Sequence, residues 1–326
     1  MDTATHFVIG IGLAGLAYTD PAVAADPKLA AVVMAATILG SQAPDFDGLL
    51  RLKNNAVYIR NHRGWSHSVP FWFIWIGLIS GLLSLLFMRM DYWHIALWTA
   101  VAVCFHVFTD VFNTYGTQAM RPFTSKWISW NIIHIFDPWI FAAHVVAILL
   151  WAFGLGQPAV IFTTLYIAIG LYYIWRTLAH YTVHRWIQRH DTDRRNGDRY
   201  TVIPTIHHRR WHVVKKHEDG SYDIGYLAGV DLRWVKHAVS VQHPAVDASK
   251  AHPDIQAFLY FSSYAVAEVE EMPWGYIVRW GDVRYRHRRQ YPFVAVIAMD
   301  LHYQTINTYV GWLSEEKMEK KILVNP

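Results

Sequence analysis

The chain has 326 residues, 53% of them hydrophobic, a formal net charge of +4 and a single cysteine. That length admits two domains, or a membrane part with one soluble domain. The small net charge gives no general argument for a nucleic-acid partner, and the lone Cys104 excludes a disulfide framework or a cysteine-based zinc site within one chain.

The totals hide an asymmetry. Residues 1–182 carry 9 Lys+Arg and 8 Asp+Glu, whereas residues 183–326 carry 20 and 17. The N-terminus lacks the positive segment of a secretory signal, so the first apolar stretch is expected to be retained. Six apolar segments follow, at about 6–19, 28–43, 69–89, 92–113, 139–154 and 157–181. The third and fourth are about 20 residues long, the length needed to cross a hydrocarbon core of about 30 Å. Pro70, Pro138 and Pro158 stand near segment starts, where a missing N–H costs little, and Trp and Tyr gather near segment ends as in interfacial belts. The expected fold is a membrane α-helical bundle of about 4–6 hydrophobic helices over 1–182.

Counting alternation puts Arg51, Lys53, Arg60, Arg63, Arg121, Lys126 and the run from Arg185 on the side of the N-terminus, against Lys28 and Arg89 on the other. The positive-inside bias makes the first side cytoplasmic. A basic linker is expected over 183–199, then a cytoplasmic domain over 200–326. Eight short alternating or β-branched runs separated by turn signals such as Glu218-Asp219-Gly220-Ser221 predict a mostly antiparallel β domain. One helix is expected within 247–262.

The stretch Gln42–Ser68 concentrates metal-binding residue types between two apolar runs. It holds Asp45 and Asp47, whose i,i+2 spacing in an extended loop points both carboxylates the same way, and His62 and His67, five apart across Gly64. His106 and Asp110 are i,i+4 on the fourth segment and share a helix face. His6, His134 and Asp137 fall on the same side of the alternation. An ionisable pair inside an apolar run is a functional candidate by default, although a mutual hydrogen bond between helices is the plainer reading. Imidazole with carboxylate suits Zn²⁺, Mn²⁺ or Fe²⁺ and fits Ca²⁺ poorly. The candidates outnumber the ligands of one closed site, so one ion with supporting groups or two ions are both open. The histidines beyond residue 200 read as surface residues. The run Arg284–Arg289 is the one basic patch with an interleaved aromatic, and blunting an edge strand is its plainer reading.

The opening Met1-Asp2-Thr3-Ala4-Thr5-His6, then Pro44-Asp45-Phe46-Asp47, His62-Arg63-Gly64-Trp65-Ser66-His67-Ser68 and His106-x-x-x-Asp110 resemble the YdjM-type family of bacterial inner-membrane metal-dependent hydrolases, in its YfhP-like branch, with Ser66 where Thr is usual. The resemblance implies a membrane-bound hydrolase with a metal-activated water, and a site at the lipid–cytosol boundary suggests a phosphoester as what that water attacks. His6, Asp45, Asp47, His67, His106 and Asp110 would be ligands of one or two divalent ions, Zn²⁺ foremost. His62 or Asp137 would handle the proton, and Arg63, with Arg60, would neutralise the phosphate. It implies membrane lipid or a small amphiphilic phosphoester as the partner and names no protein partner. The alternative is a non-enzymatic metal or lipid sensor acting through the C-terminal domain. Transport is a third possibility, disfavoured because the candidates lie at one face rather than across the bilayer depth.

Overall fold

The computed structural model describes residues 1–87, 91–285 and 292–312. The chain forms two compact units. The first comprises Met1–Asp47, His62–Val183 and Pro204–His208; the second comprises Gly48–Asn61, His184–Ile203 and the chain from Arg209 onward.

Six helices answer the six apolar segments: α1 (Thr3–Leu16), α3 (Pro27–Gln42), α5 (Val69–Leu86), α6 (Tyr92–Val111), α7 (Pro138–Ala152) and α8 (Pro158–His190), with a short α2 (Pro21–Ala25) between the first two. Their starts are written locally. Asp2, Asp20, Asp26, Asp91 and Asp137 each accept from backbone N–H groups of the first turn, and Pro stands in the first turn after three of them. Among the described residues four stretches are long and apolar enough to cross a membrane: Pro27–Leu52, Val69–Leu86, Tyr92–Val111 and Pro158–His190. Thr3–Thr19 and Pro138–Ala152 are shorter. Phe73, Leu78, Leu82 and Leu85 of α5 are exposed, the face a lipid solvent would cover.

The first unit packs through small residues. A Cβ on Gly10 of α1 would lie 2.4 Å from Ser41 Oγ and 2.9 Å from Ile38 Cα of α3, and one on Gly40 would lie 3.1 Å from Ala102 Cβ of α6. These glycines let three backbones approach, which in lipid replaces hydrophobic burial as the packing force. Gly10→Val should therefore cost about 1–3 kcal/mol through overpacking. It should also lower metal retention, because His6 lies one turn earlier on the same helix. Thermal melts and elemental analysis in detergent check both effects.

The second unit has two four-stranded antiparallel sheets. Strands β1 (Arg199–Pro204), β2 (Arg210–Lys216), β3 (Tyr222–Ala228) and β4 (Asp231–Ala238) neighbour one another in chain order, as do β5 (Ala265–Met272), β6 (Gly275–Asp282), β7 (Phe293–Asp300) and β8 (Thr305–Trp312). Val214, Ile224 and Ala238 of the first sheet share one core with Val266, Ile277, Val294 and Val296 of the second. The helix expected within 247–262 is divided into α9 (Pro244–Ser249) and α10 (Pro253–Phe261), because Pro253 cannot continue a helix and instead starts the next, capped by His252. α4 (Asn55–Asn61), from the Gln42–Ser68 stretch, belongs to this unit and packs against α10 and β8. α8 runs on to His190, so the first half of the 183–199 stretch is helical. In the basic run, Arg284 lies in a 3-10 turn with its guanidinium on Asp282 at 2.7 Å, not on a strand face. Residues 286–289 lie outside the described residues.

Candidate metal centre

The site lies wholly in the first unit. α6 brings His106 and Asp110 to one face, with Nε2 and Oδ2 3.6 Å apart. The turn Trp65–His67 brings His67, whose Nε2 lies 3.3 Å from His106 Nε2, 3.4 Å from Asp110 Oδ2 and 3.5 Å from Asp45 Oδ1. His6 of α1 stacks on His106 with ring centroids 3.7 Å apart, and its Nε2 is 3.4 Å from Asp110 Oδ1. His6, His67, His106 and Asp110 are fully buried.

The orientation of the two central imidazoles is fixed from outside the cluster. His106 Nδ1–H donates to Ser41 O at 2.6 Å. Ser66 Oγ donates to Asp47 at 2.8 Å and so accepts from His67 Nδ1–H at 2.9 Å. Both Nε2 lone pairs are left pointing inward at each other and at two carboxylate oxygens, the arrangement in which an outer hydrogen bond holds a metal-ligating histidine. Burial also pushes the His67 imidazole below its ordinary pKa, which favours the neutral, ligating form.

Buried acceptor atoms that no proton reaches are costly. Asp45 Oδ1, Asp110 Oδ2 and His6 Nδ1 are buried without a hydrogen-bond partner. A divalent cation satisfies this donor set, and the residues present fit one. Among the described residues of this unit, two groups have donor atoms close enough to share an ion: Asp45, His67, His106 and Asp110, and Asp45, Asp47 and His62. Asp45 belongs to both.

The expected extended loop is instead a 3-10 helix, Ala43–Leu52, yet a carboxylate oxygen of Asp45 and one of Asp47 still lie within 4.8 Å of each other. Asp45 faces the histidines. Asp47 accepts from His62 Nδ1–H at 2.8 Å, Arg63 N at 2.9 Å and Ser66 Oγ, and so shapes the turn that presents His67. Arg63 is buried at the edge of the cluster, its guanidinium on Asp110 at 3.1 Å, Asn113 at 3.1 Å and Met1 O at 3.1 Å. Asp137 is held elsewhere: it caps α7 and accepts from Tyr172 at 2.7 Å. Arg60 belongs to the second unit, over the Tyr260 ring, and His134 is half-buried with Nδ1 on Phe136 O.

Sequence reasoning did not include Ser41, Ser66 or Asn113 in the site. Asn113 donates to Asp110 at 3.0 Å from i+3, a helical spacing that could have found it. The amino group of Met1 also contacts Asp110.

Residues 1–183 match the family model described as YdjM inner membrane protein. The chain belongs to the YdjM family. Residues 244–322 match the YfhP C-terminal alpha/beta plait domain. The chain is 41% identical over 325 residues to a Bacillus subtilis (strain 168) protein described as "Uncharacterized protein YfhP", covering 99% of this chain and 98% of that one. No solved structure matches it. Membership of the YdjM family and the apolar helices together make this a membrane protein. The motif Asp45, Asp47, His62–Ser68, His106 and Asp110 falls inside the YdjM-matched region.

Proposed function

We propose that this protein is a multi-pass membrane hydrolase that uses one or two divalent ions, Zn²⁺ foremost, to cleave a phosphoester at the cytoplasmic membrane face, with its C-terminal domain in the cytoplasm. The observation that carries this reading is the convergence of two inward-facing imidazole lone pairs on Asp45 and Asp110, with a buried oxygen of each carboxylate lacking a hydrogen-bond partner. Mixed imidazole and carboxylate donors suit zinc-class ions.

Asp45, His67, His106 and Asp110 would hold the first ion, with His6 at its edge; Asp47 and His62 complete a second donor set around Asp45. An ion of this class, when bound, acidifies water and polarises a phosphoryl oxygen. With one ion bound, His62, held by Asp47 through Nδ1 and 20% exposed at its side chain, would instead give a proton to the leaving oxygen. Arg63 neutralises Asp110, which leaves it a positioning role. Membrane lipid or another amphiphile carrying a phosphoester is the proposed substrate class.

The test is elemental analysis of the detergent-purified protein, with hydrolysis assayed on phosphoesters, a phospholipid and carboxylic esters before and after chelation. Bound metal with chelator-sensitive phosphoester turnover is expected. Protein without metal would sink the proposal. Metal without turnover would favour a sensor, a reading supported by one observation: Asp47 and His62 bracket Gly48–Asn61, which belongs to the second unit.

A further inference from the structure

The histidines beyond residue 200 do not all behave as surface residues. His217 is buried, at the end of β2, and both its ring nitrogens meet carboxylates: Nδ1 lies 2.7 Å from Asp198 Oδ1 and Nε2 lies 2.9 Å from Asp223 Oδ2. His237 Nδ1 lies 2.7 Å from Asp223 Oδ1. Strand register makes this meeting obligatory. Asp223 of β3 stands opposite Lys215 of β2 on one side and His237 of β4 on the other, and His217 is two residues beyond Lys215 on the same face.

We propose that His217, Asp223 and His237 form a second binding site, for a single zinc-class divalent ion, independent of the membrane centre. In the neutral ring with Nδ1–H donating to the buried Asp198, the Nε2 lone pair faces Asp223. That is the carboxylate–histidine pairing that raises ligand basicity at metal sites. With that tautomer the 2.9 Å contact sets acceptor against acceptor, and a cation between them resolves it. The two imidazole rings are 6.0 Å apart, and all three donor atoms lie within 4.8 Å of one another. Two nitrogens and one oxygen form a donor set for Zn²⁺ with a coordination position left over. His237 is 58% exposed at its side chain, which gives the ion a path in and leaves that position to solvent.

Lys215 is the competing cation, with Nζ 3.1 Å from Asp223 Oδ2. It is shared with Asp191 at 3.1 Å, and it lies over the Trp234 ring. Asp223 Oδ1 faces His237. The rival account is a proton-bridged network, His217 charged between Asp198 and Asp223, that binds no metal.

The experiment uses the full-length protein in detergent. Zn²⁺ bound per chain is measured after equilibration and desalting for the unaltered chain, His237→Ala and His237→Cys, each also in an Asp45→Asn background. His237 is on the surface, so its replacement should leave folding intact; circular dichroism checks this. The expected result is one equivalent fewer in His237→Ala in both backgrounds, restored by His237→Cys. Asp198→Asn should bind about 10–100-fold more weakly. Equal stoichiometry in His237→Ala and the unaltered chain overturns the proposal and leaves the proton-bridged network. If Asp45→Asn alone leaves the metal content unchanged while His237→Ala lowers it, the membrane centre fails and this site stands.

Discussion

Asp45→Asn should strip the membrane unit of all its bound metal, whereas His62→Ala should remove at most one ion. Asp45 is the only residue common to the two membrane-unit donor groups found among the described residues. Asparagine keeps the shape but lacks the charge, and its amide cannot offer two anionic oxygens to two cations. Removing His62 leaves Asp45, His67, His106 and Asp110 in place. Asp47→Asn and Ser66→Ala occupy a middle ground. Neither residue belongs to the four-membered group, yet together they hold His67 Nδ1, so each should weaken binding there by about 10–100-fold. Metal content by elemental analysis, with helicity as a control, separates the cases. Undiminished metal in Asp45→Asn would mean that the acceptors facing one another are satisfied in some other way.

The helices were legible because their signals are local. Apolar runs gave six segments, and Pro70, Pro138 and Pro158 marked three of the starts. His106 and Asp110 were legible as a pair because i,i+4 spacing fixes a shared face. Asp45 and Asp47 were misread in conformation but not in proximity: their carboxylates do approach, and the sequence carries nothing that separates a polar loop from a 3-10 helix there. Asp137 illustrates the opposite limit. A carboxylate before Pro138 is what a helix cap looks like, and the cap, with Tyr172, occupies it. The cluster at His217 could not be read because it depends on which strand lies beside which. No local pattern tells that Asp223 stands between Lys215 and His237.

Arg63→Ala is the second change expected to have a large effect, and its response to metal matters more than its cost. Arg63 is buried, with φ of 57°, a left-handed conformation that costs a non-glycine residue about 1–2 kcal/mol. Its backbone is held on both sides: its N–H donates to Asp47 and its carbonyl accepts from Gln118 N at 2.9 Å. Its guanidinium is the arginine partner of the fully buried Asp110. Removing that partner leaves the buried Asp110 charge to the Met1 amino group and Asn113 alone, and a loss of up to about 3–5 kcal/mol is expected. Arg63→Lys should recover part of it, since the charge returns without the planar fork that also reaches Asn113 and Met1 O. A divalent ion at the neighbouring histidines would supply to Asp110 the positive charge that Arg63 no longer does. Added Zn²⁺ should therefore raise the melting temperature of Arg63→Ala by more than it raises that of the unaltered chain. The opposite sign, or an equal shift in both, would show that Asp110 is not shared between the arginine and a metal. Asp110 would then serve only as the anchor of Arg63, with His67 and His106 packed beside it for other reasons.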